Sequence, residues 1–386
     1  MRVELKDVEM ELAKLWDAEA SRSRSARVEL FTLVALVSDP ALLERAKSVV
    51  ARVAHVHDCR TITAVWRPAL DGQAPAISAD IELHRNPEHK QQACGDGIVI
   101  DAVGPARDWL PGNVDRLLLA DLPAHVWWVG DLPDADDLFD RMVRRADVVV
   151  VNSAEMDLRD LEKLSTIVGS SQGAQAFMDL TWVRLRGMQD LVARFFDDPH
   201  ARPYLDTLTE ITFAYSPRAG EADVASTRVG LLLGWMGTAL GFVVDTAKWT
   251  RAATGGELVI GRDNGTTVKV RFVYDKRAGV HDGSLTRIAM VSDAGEGKTA
   301  RFELARQAED PQIMAWSSEL PGVTMPPQML RFASHDESDL LLRTLERPTR
   351  DRLLEASLLS ASRFVRAVAP RLSAPPPPLT RQAGDS

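Results

Sequence analysis

The period of the apolar positions changes along the chain, and each change marks a part. Leu5, Val8, Leu12, Leu15 and Trp16 share one helical face, and SRSRS (Ser21–Ser25) ends the pattern. This predicts an N-terminal amphipathic helix over residues 1–25 that either packs back on the first domain or docks a partner. Short apolar runs then alternate with amphipathic ones to about residue 175. VELFTLVALV (Val28–Val37), RTITAVW (Arg60–Trp66), ADIELH (Ala79–His84), GIVIDAV (Gly97–Val103), AHVWWVG (Ala124–Gly130) and DVVVVNS (Asp147–Ser153) read as strands. DPALLERAKSVVARVA, DADDLFDRMVRRA and DLRDLEKLSTIVG read as helices, the first with aspartate and proline at its start. The alternation predicts an α/β domain over 26–175, a mostly parallel sheet with flanking helices.

A smaller α+β domain is predicted over 176–370. It opens on a long helix, DLTWVRLRGMQDLVARFFDD (Asp179–Asp198), with Asp179 as its N-cap. ITFAYS (Ile211–Ser216) follows as a strand. ADVASTRVGLLLGWMGTALGF (Ala222–Phe242) then reads as a second helix burying Leu232, Met236, Ala239, Leu240 and Val243. From Glu257 the period becomes two. Asp263-Asn264-Gly265 between ELVIG and TTVKVRFVY is a hairpin signal, with Val268, Val270, Phe272 and Tyr274 facing one way and Lys269 and Arg271 the other. LTRIAMVSD and TARFELARQ continue an antiparallel meander, and Leu353–Val368 is helical. Residues 371–386 are proline-rich and predicted to be a disordered tail.

Composition narrows the function classes. A net charge of -9 argues against nucleic acid as a general partner. No apolar run is long enough to span a bilayer, and the N-terminus lacks a signal-peptide core, so a soluble cytoplasmic protein with no membrane contact is expected. The two cysteines, Cys59 and Cys94, form neither a disulfide framework nor a zinc spacing.

The candidate catalytic motifs fail on context. GEGKT (Gly295–Thr299) has Ser292 where a phosphate loop needs glycine, and strand alternation follows it, so it reads as a hairpin turn. GSSQG (Gly169–Gly173), with Ser171 as its would-be nucleophile, follows a helix instead of a strand. Asp131, Asp134, Asp136 and Asp137 lie at a helix start without calcium-loop spacing. His55, His57, His84 and His89 lack metal-ligand partners at diagnostic spacing, and no G-x-G-x-x-G follows a strand. No catalytic, cofactor-binding or metal residue is therefore assigned.

Four segments together resemble a known family. LLLADLPAHVWWVGDLP (Leu117–Pro133) resembles the signature of OpcA, the glucose-6-phosphate dehydrogenase assembly protein family. ADVVVVNSAE (Ala146–Glu155), MDLTWVRLRGMQDLVARFFD (Met178–Asp197) and GWMGTALGF (Gly234–Phe242) are similar to later segments of that family. The likeness runs from about Leu30 to Tyr274 and is weakest beyond it. It implies a non-enzymatic protein that binds glucose-6-phosphate dehydrogenase and promotes its active state, with no catalytic residues to carry over. Cys59 and Cys94 do not align with the cysteines of thioredoxin-linked members. The alternative is a sugar-phosphate sensor or enzyme using the sheet cleft. The candidate partner-binding residues are Trp127, Trp128, Asp131, Trp182, Arg184 and Arg186. Trp127 and Trp128 point to opposite faces of a strand. Either both lie under helices, or one is an aromatic anchor for the partner. Trp182 and Leu185 should be buried, and Arg184 and Arg186 exposed or paired.

Overall fold

The computed structural model describes all residues except 24–26, 87–91, 134–136, 171–174, 218–225, 253–254, 325, 333–334, 347–348 and 373–386. The proline-rich end from residue 373 thus lies outside the described residues, as do Ser171, His89, Asp134 and Asp136. The chain divides into two compact units. One comprises Met1–Met156, Ile167–Arg184 and His335–Asp351; the other comprises Asp157–Thr166, Leu185–Ser334 and Arg352–Ser386.

The first unit holds an eight-stranded sheet: β1 (Arg2–Val3), β2 (Thr32–Val37), β3 (Arg60–Arg67), β4 (Ala76–Asn86), β5 (Gln92–Val103), β6 (Ala124–Val129), β7 (Val148–Val151) and β8 (Ala176–Asp179). The spatial order is β1-β4-β5-β3-β2-β6-β7-β8. All neighbours from β5 to β8 are parallel, and β1 and β4 are antiparallel additions. The six parallel strands have the doubly wound order, with chain direction across the sheet reversing between β2 and β6. Every residue of β2, β6 and β7 is buried, as expected where helices cover both faces.

The helices of this unit include α1 (Val8–Ser23), α2 (Leu43–Val56), α3 (Leu110–Leu117) and α4 (Asp137–Arg145). The alternative left open for the first helix is decided by its contacts. Val8, Leu12 and Trp16 of α1 are buried, and Trp16 Nε1 donates to Asp96 Oδ1 at 2.6 Å. Glu9 and Asp96 both accept from the buried Arg60 guanidinium. The helix packs back on its own sheet.

The second unit holds nine strands: β9 (Leu208–Tyr215), β10 (Phe242–Ala252), β11 (Gly255–Arg262), β12 (Thr267–Tyr274), β13 (Leu285–Asp293), β14 (Thr299–Arg306), β15 (Ile313–Leu320), β16 (Val323–Thr324) and β17 (Gln328–Arg331). All its pairs are antiparallel except β12 with β9. Among the described residues α7 (Thr227–Leu240) and α9 (Arg352–Leu372) lie wholly in this unit, α5 (Asp160–Ser170) and α6 (Leu180–Arg194) are shared with the first unit, and α8 (Glu337–Glu346) lies entirely in the first. Gly234 lets α7 approach α9, since a Cβ there would lie 2.2 Å from Ser357 O. Phe272 stacks on Phe364 with centroids 5.7 Å apart.

The hairpin reading holds: Val268, Val270 and Phe272 are buried, Tyr274 is half-buried, and Gly265 takes φ 83° in the turn. GEGKT forms the turn between β13 and β14, with Gly295, Glu296 and Gly297 all at positive φ. One boundary is corrected. Gly241, left-handed at φ 64°, stops α7 at Leu240, so Val243 lies on β10 and is exposed instead of helical and buried; at the end of α7 Ala239 is exposed too and Leu240 half-buried, while Leu232 and Met236 are buried as expected.

Candidate functional site

In a doubly wound sheet, ligands bind outside the carboxyl ends of the strands at the reversal point, here between β2 and β6. The residues at that point do not fit a dinucleotide. The turn after β2 is Ser38-Asp39-Pro40, without glycine. The Asp39 carboxylate already accepts from Ala41 N at 2.9 Å, placing negative charge where a phosphate would need donors. Ser38 N and Ser38 Oγ both donate to Val129 O at 3.0 Å. Gly130, at φ 106°, closes against the same serine: a Cβ there would lie 2.2 Å from Ser38 Oγ.

Trp127 and Trp128 sit just before this closure, on opposite faces of β6 as alternation requires. Both rings are buried. Trp127 belongs to the core cluster that includes Val50 and Val53 of α2 and Leu340, Leu341 and Leu345 of α8. Trp128 packs edge-on against Phe139, centroids 4.8 Å apart, and 5.8 Å from Trp66. Neither ring lies on the surface, because a helix covers each face. Trp128 Nε1 donates to Asp131 O at 2.9 Å, which fixes the turn leaving β6 with the Asp131 side chain exposed.

The exposed aromatic of this edge lies elsewhere. Trp66, at the end of β3, is half-buried, and the Arg107 guanidinium lies 4.9 Å over its ring. The loop after β3 carries Leu70, 77% exposed, and the turn after β5 carries Trp109, 50% exposed. The two loops touch: a Cβ on Gly104, itself at φ 59°, would lie 2.9 Å from Ala69 Cβ. Sequence reasoning missed both residues. The available signal was a large apolar residue, Leu70, inside a loop punctuated by Pro68, Asp71 and Gly72.

A second group gathers at the carboxyl ends of β7 and β8. Asp179 is the predicted cap of α6: its Oδ1 accepts from Thr181 N at 2.9 Å and from Ser153 N at 3.0 Å. Ser153 Oγ donates to its other oxygen at 2.5 Å. Burial pushes the Asp179 carboxyl above the ordinary carboxylate range, against these hydrogen bonds. Thr181 Oγ1 donates to Asn152 Oδ1, and Asn152 Nδ2 donates to Glu155 Oε1 at 3.0 Å and Glu337 Oε1 at 3.1 Å. Arg45 on α2 reaches both Glu155 (2.8 Å) and Glu337 (3.1 Å). Burial also raises the Glu337 carboxyl, with Arg45 opposing, and burial lowers the Arg184 guanidinium.

Trp182 is buried, and its Nε1 donates to Asp351 Oδ2 at 2.9 Å. Leu185 is buried as expected, Arg184 is half-buried near Glu337, Asp179 and Glu155, and Arg186 is exposed. Trp127, Trp128 and Asp131 thus form one strand end, and Trp182 and Arg184 belong to another. The thiols of Cys59 and Cys94 are both pushed up by burial. His84 is buried with Nε2 2.7 Å from Thr61 Oγ1. Among the described residues no group of His, Cys, Asp and Glu side chains could hold a metal ion.

Comparison with known proteins adds two matches along the chain. Residues 50–166 match a family model described as the glucose-6-phosphate dehydrogenase subunit N-terminal domain, and residues 175–358 one described as the C-terminal domain. A protein of Synechocystis sp. named OpcA, of the OxPP cycle, is 28% identical over 192 residues, 49% of this chain and 38% of that protein. Its namesake in Nostoc punctiforme is 26% identical over 180 residues, 44% of this chain and 36% of that protein. The aligned stretch thus spans well under half of either relative. Among solved structures, an NAD binding oxidoreductase from Klebsiella pneumoniae superposes with a TM-score of 0.47 at 9% identity, covering 89% of this chain and 97% of that one, a likeness too slight to bear on function.

Proposed function

The chain belongs to the OpcA family, and from that membership we propose that it is a non-enzymatic partner that binds glucose-6-phosphate dehydrogenase and shifts it toward its active state. The observation that carries this reading is the pair of domain matches, which together run from residue 50 to residue 358. The reversal point supports it, since Asp39 and the Ser38–Gly130 contact leave no phosphate cradle there. No helix among the described residues is long and apolar enough to cross a membrane.

The docking face we assign to this role is the edge carrying Leu70 and Trp109, with Trp66, Arg107 and Asp131 around it. Tryptophan and arginine dominate the energetics of protein interfaces, and an exposed aromatic and an exposed leucine carried on two touching loops are the part of this edge that binding would take from water. Trp127 and Trp128 then act as the buried support of the turn that presents Asp131. Activation requires tighter binding to the active form of the dehydrogenase, because equal affinity for both forms shifts nothing. The test is co-purification with the host's dehydrogenase followed by an activity titration. The expected result is a stable complex and a lower substrate concentration at half-saturation. A pair that neither associates nor changes its kinetics overturns the reading.

A further inference from the structure

Glu337, the first residue of α8, occupies a place built for an anion. Its carboxylate lies in a mostly buried position, 14% exposed, with Arg45 Nε 3.1 Å from Oε2 and Asn152 Nδ2 donating to Oε1 at 3.1 Å. The Asn152 amide is itself oriented, since Thr181 Oγ1 donates to its oxygen at 3.1 Å. Arg184 completes the surround. Its half-buried guanidinium lies in the field of Glu337, Asp179 and Glu155, yet among the described residues it donates no hydrogen bond. A guanidinium carries five N–H donors in a planar fork. An arginine desolvated with those donors unspent is one that an oxyanion can still satisfy. The amino-terminal ends of α6 and α8 lie in the same cluster, and such ends favour negative charge.

We propose that Arg45, Asn152 and Arg184 form a binding site for a phosphomonoester, in which the Glu337 carboxylate is a resident stand-in that the ligand displaces. The phosphomonoester is favoured over a carboxylate by charge. A tethered monoanion has the advantage of local concentration, so a free monoanion competes poorly. A phosphate ester is close to a dianion at neutral pH and offers three acceptor oxygens, enough to use the Arg184 donors that Glu337 leaves unused. Glu337 is also held at a cost. Its carboxyl is buried and faces Glu155 as well as Arg45, and both burial and Glu155 oppose its charge. Displacement would free the start of α8, which gives the ligand a structural readout. This site is independent of the assembly reading, and either can fail without the other.

The experiment uses the full chain, inorganic phosphate as the probe, and chloride at matched ionic strength as the control. Glu337→Gln removes the competing charge and keeps the side chain's shape. Calorimetric titration should show the variant binding phosphate about tenfold more tightly than the unsubstituted chain. The gain should vanish when Arg184→Met is added. A folded Glu337→Gln chain that binds phosphate no more tightly, or a gain that survives both Arg184→Met and Arg45→Met, overturns the site. Hydrogen exchange on the unsubstituted chain gives a reading that does not depend on the variant folding. Amides at the start of α8 should exchange faster in phosphate than in chloride, and equal rates would also overturn it.

Discussion

His125 shows how a single side chain sets a pH dependence in this fold. It is the second residue of the fully buried β6, stacks on Phe31 with centroids 4.8 Å apart, and is pulled down to about 4 by burial, with Asp147 acting the other way. Its folded pKa lies below the ordinary value near 6.5, so the neutral ring is favoured in the folded state. That contribution is complete above pH 6.5 and is lost as pH falls through about 4, an amount of roughly 3 kcal/mol. His125→Phe should therefore flatten the stability profile between those limits relative to the unsubstituted chain. Parallel profiles in urea denaturation across that window would count against the assignment. The two tryptophans next to it carry a second expectation. Because both rings are buried, Trp127→Ala and Trp128→Ala should each cost about 3–5 kcal/mol of stability, with partner affinity per folded molecule unchanged. Loss of affinity in a stably folded variant would return that ring to the docking face. Their opposite orientations were legible in the sequence, since alternation is local. That both would be covered was not, because the helix over Trp127 is encoded by residues 337–346.

At the scale of elements, period and caps located what they could. The strand runs in Thr32–Val37, Arg60–Arg67 and Ala124–Val129 and the cap at Asp179 were readable because each signal lies within a few residues. The strand β8 was missed because Ala176–Asp179 is four residues long and adjoins a strong helix pattern that absorbed its last residue. The strand β10 was missed because its start was read as the end of the preceding helix, on the far side of the Gly241 stop. The first helix gave its face but not its partner. Its polar side contributes Glu9 and Trp16 Nε1 to the buried Arg60–Asp96 pair, and a buried pair that loses partners is costly. A chain beginning after residue 23 would uncover the sites of Val8, Leu12 and Trp16 as well. It should lose at least ~3 kcal/mol, given about 1.5–3 kcal/mol for each large apolar side chain buried. An unchanged denaturation midpoint for that shortened chain would mean that α1 is only loosely held.

At the scale of the molecule, neither the strand order nor the split of the chain into two discontinuous units could be read from the sequence. The order β5-β3-β2-β6-β7-β8 depends on which strands pair across intervening helices. The polar cluster depends on bringing Arg45 to Glu337, a separation of 292 residues. The docking edge was hidden for a related reason: the loops that carry Leu70 and Trp109 meet, at Ala69 and Gly104, only because β3 and β5 pair. If that edge meets the dehydrogenase, Leu70→Ala and Trp109→Ala should each weaken the complex by about 1–2 kcal/mol while leaving the denaturation midpoint in place. Full affinity in the double variant would move the contact to another face. The passage of His335–Asp351 back into the first unit also has a consequence for synthesis. Nascent domains tend to fold in the order in which they leave the ribosome. Here a unit that begins at Met1 cannot finish until residue 351 has emerged, because Leu340, Leu341 and Leu345 belong to the core around Trp127. Until then one face of β6 has an open apolar patch, and the half-made protein is a natural client for chaperones throughout most of its translation.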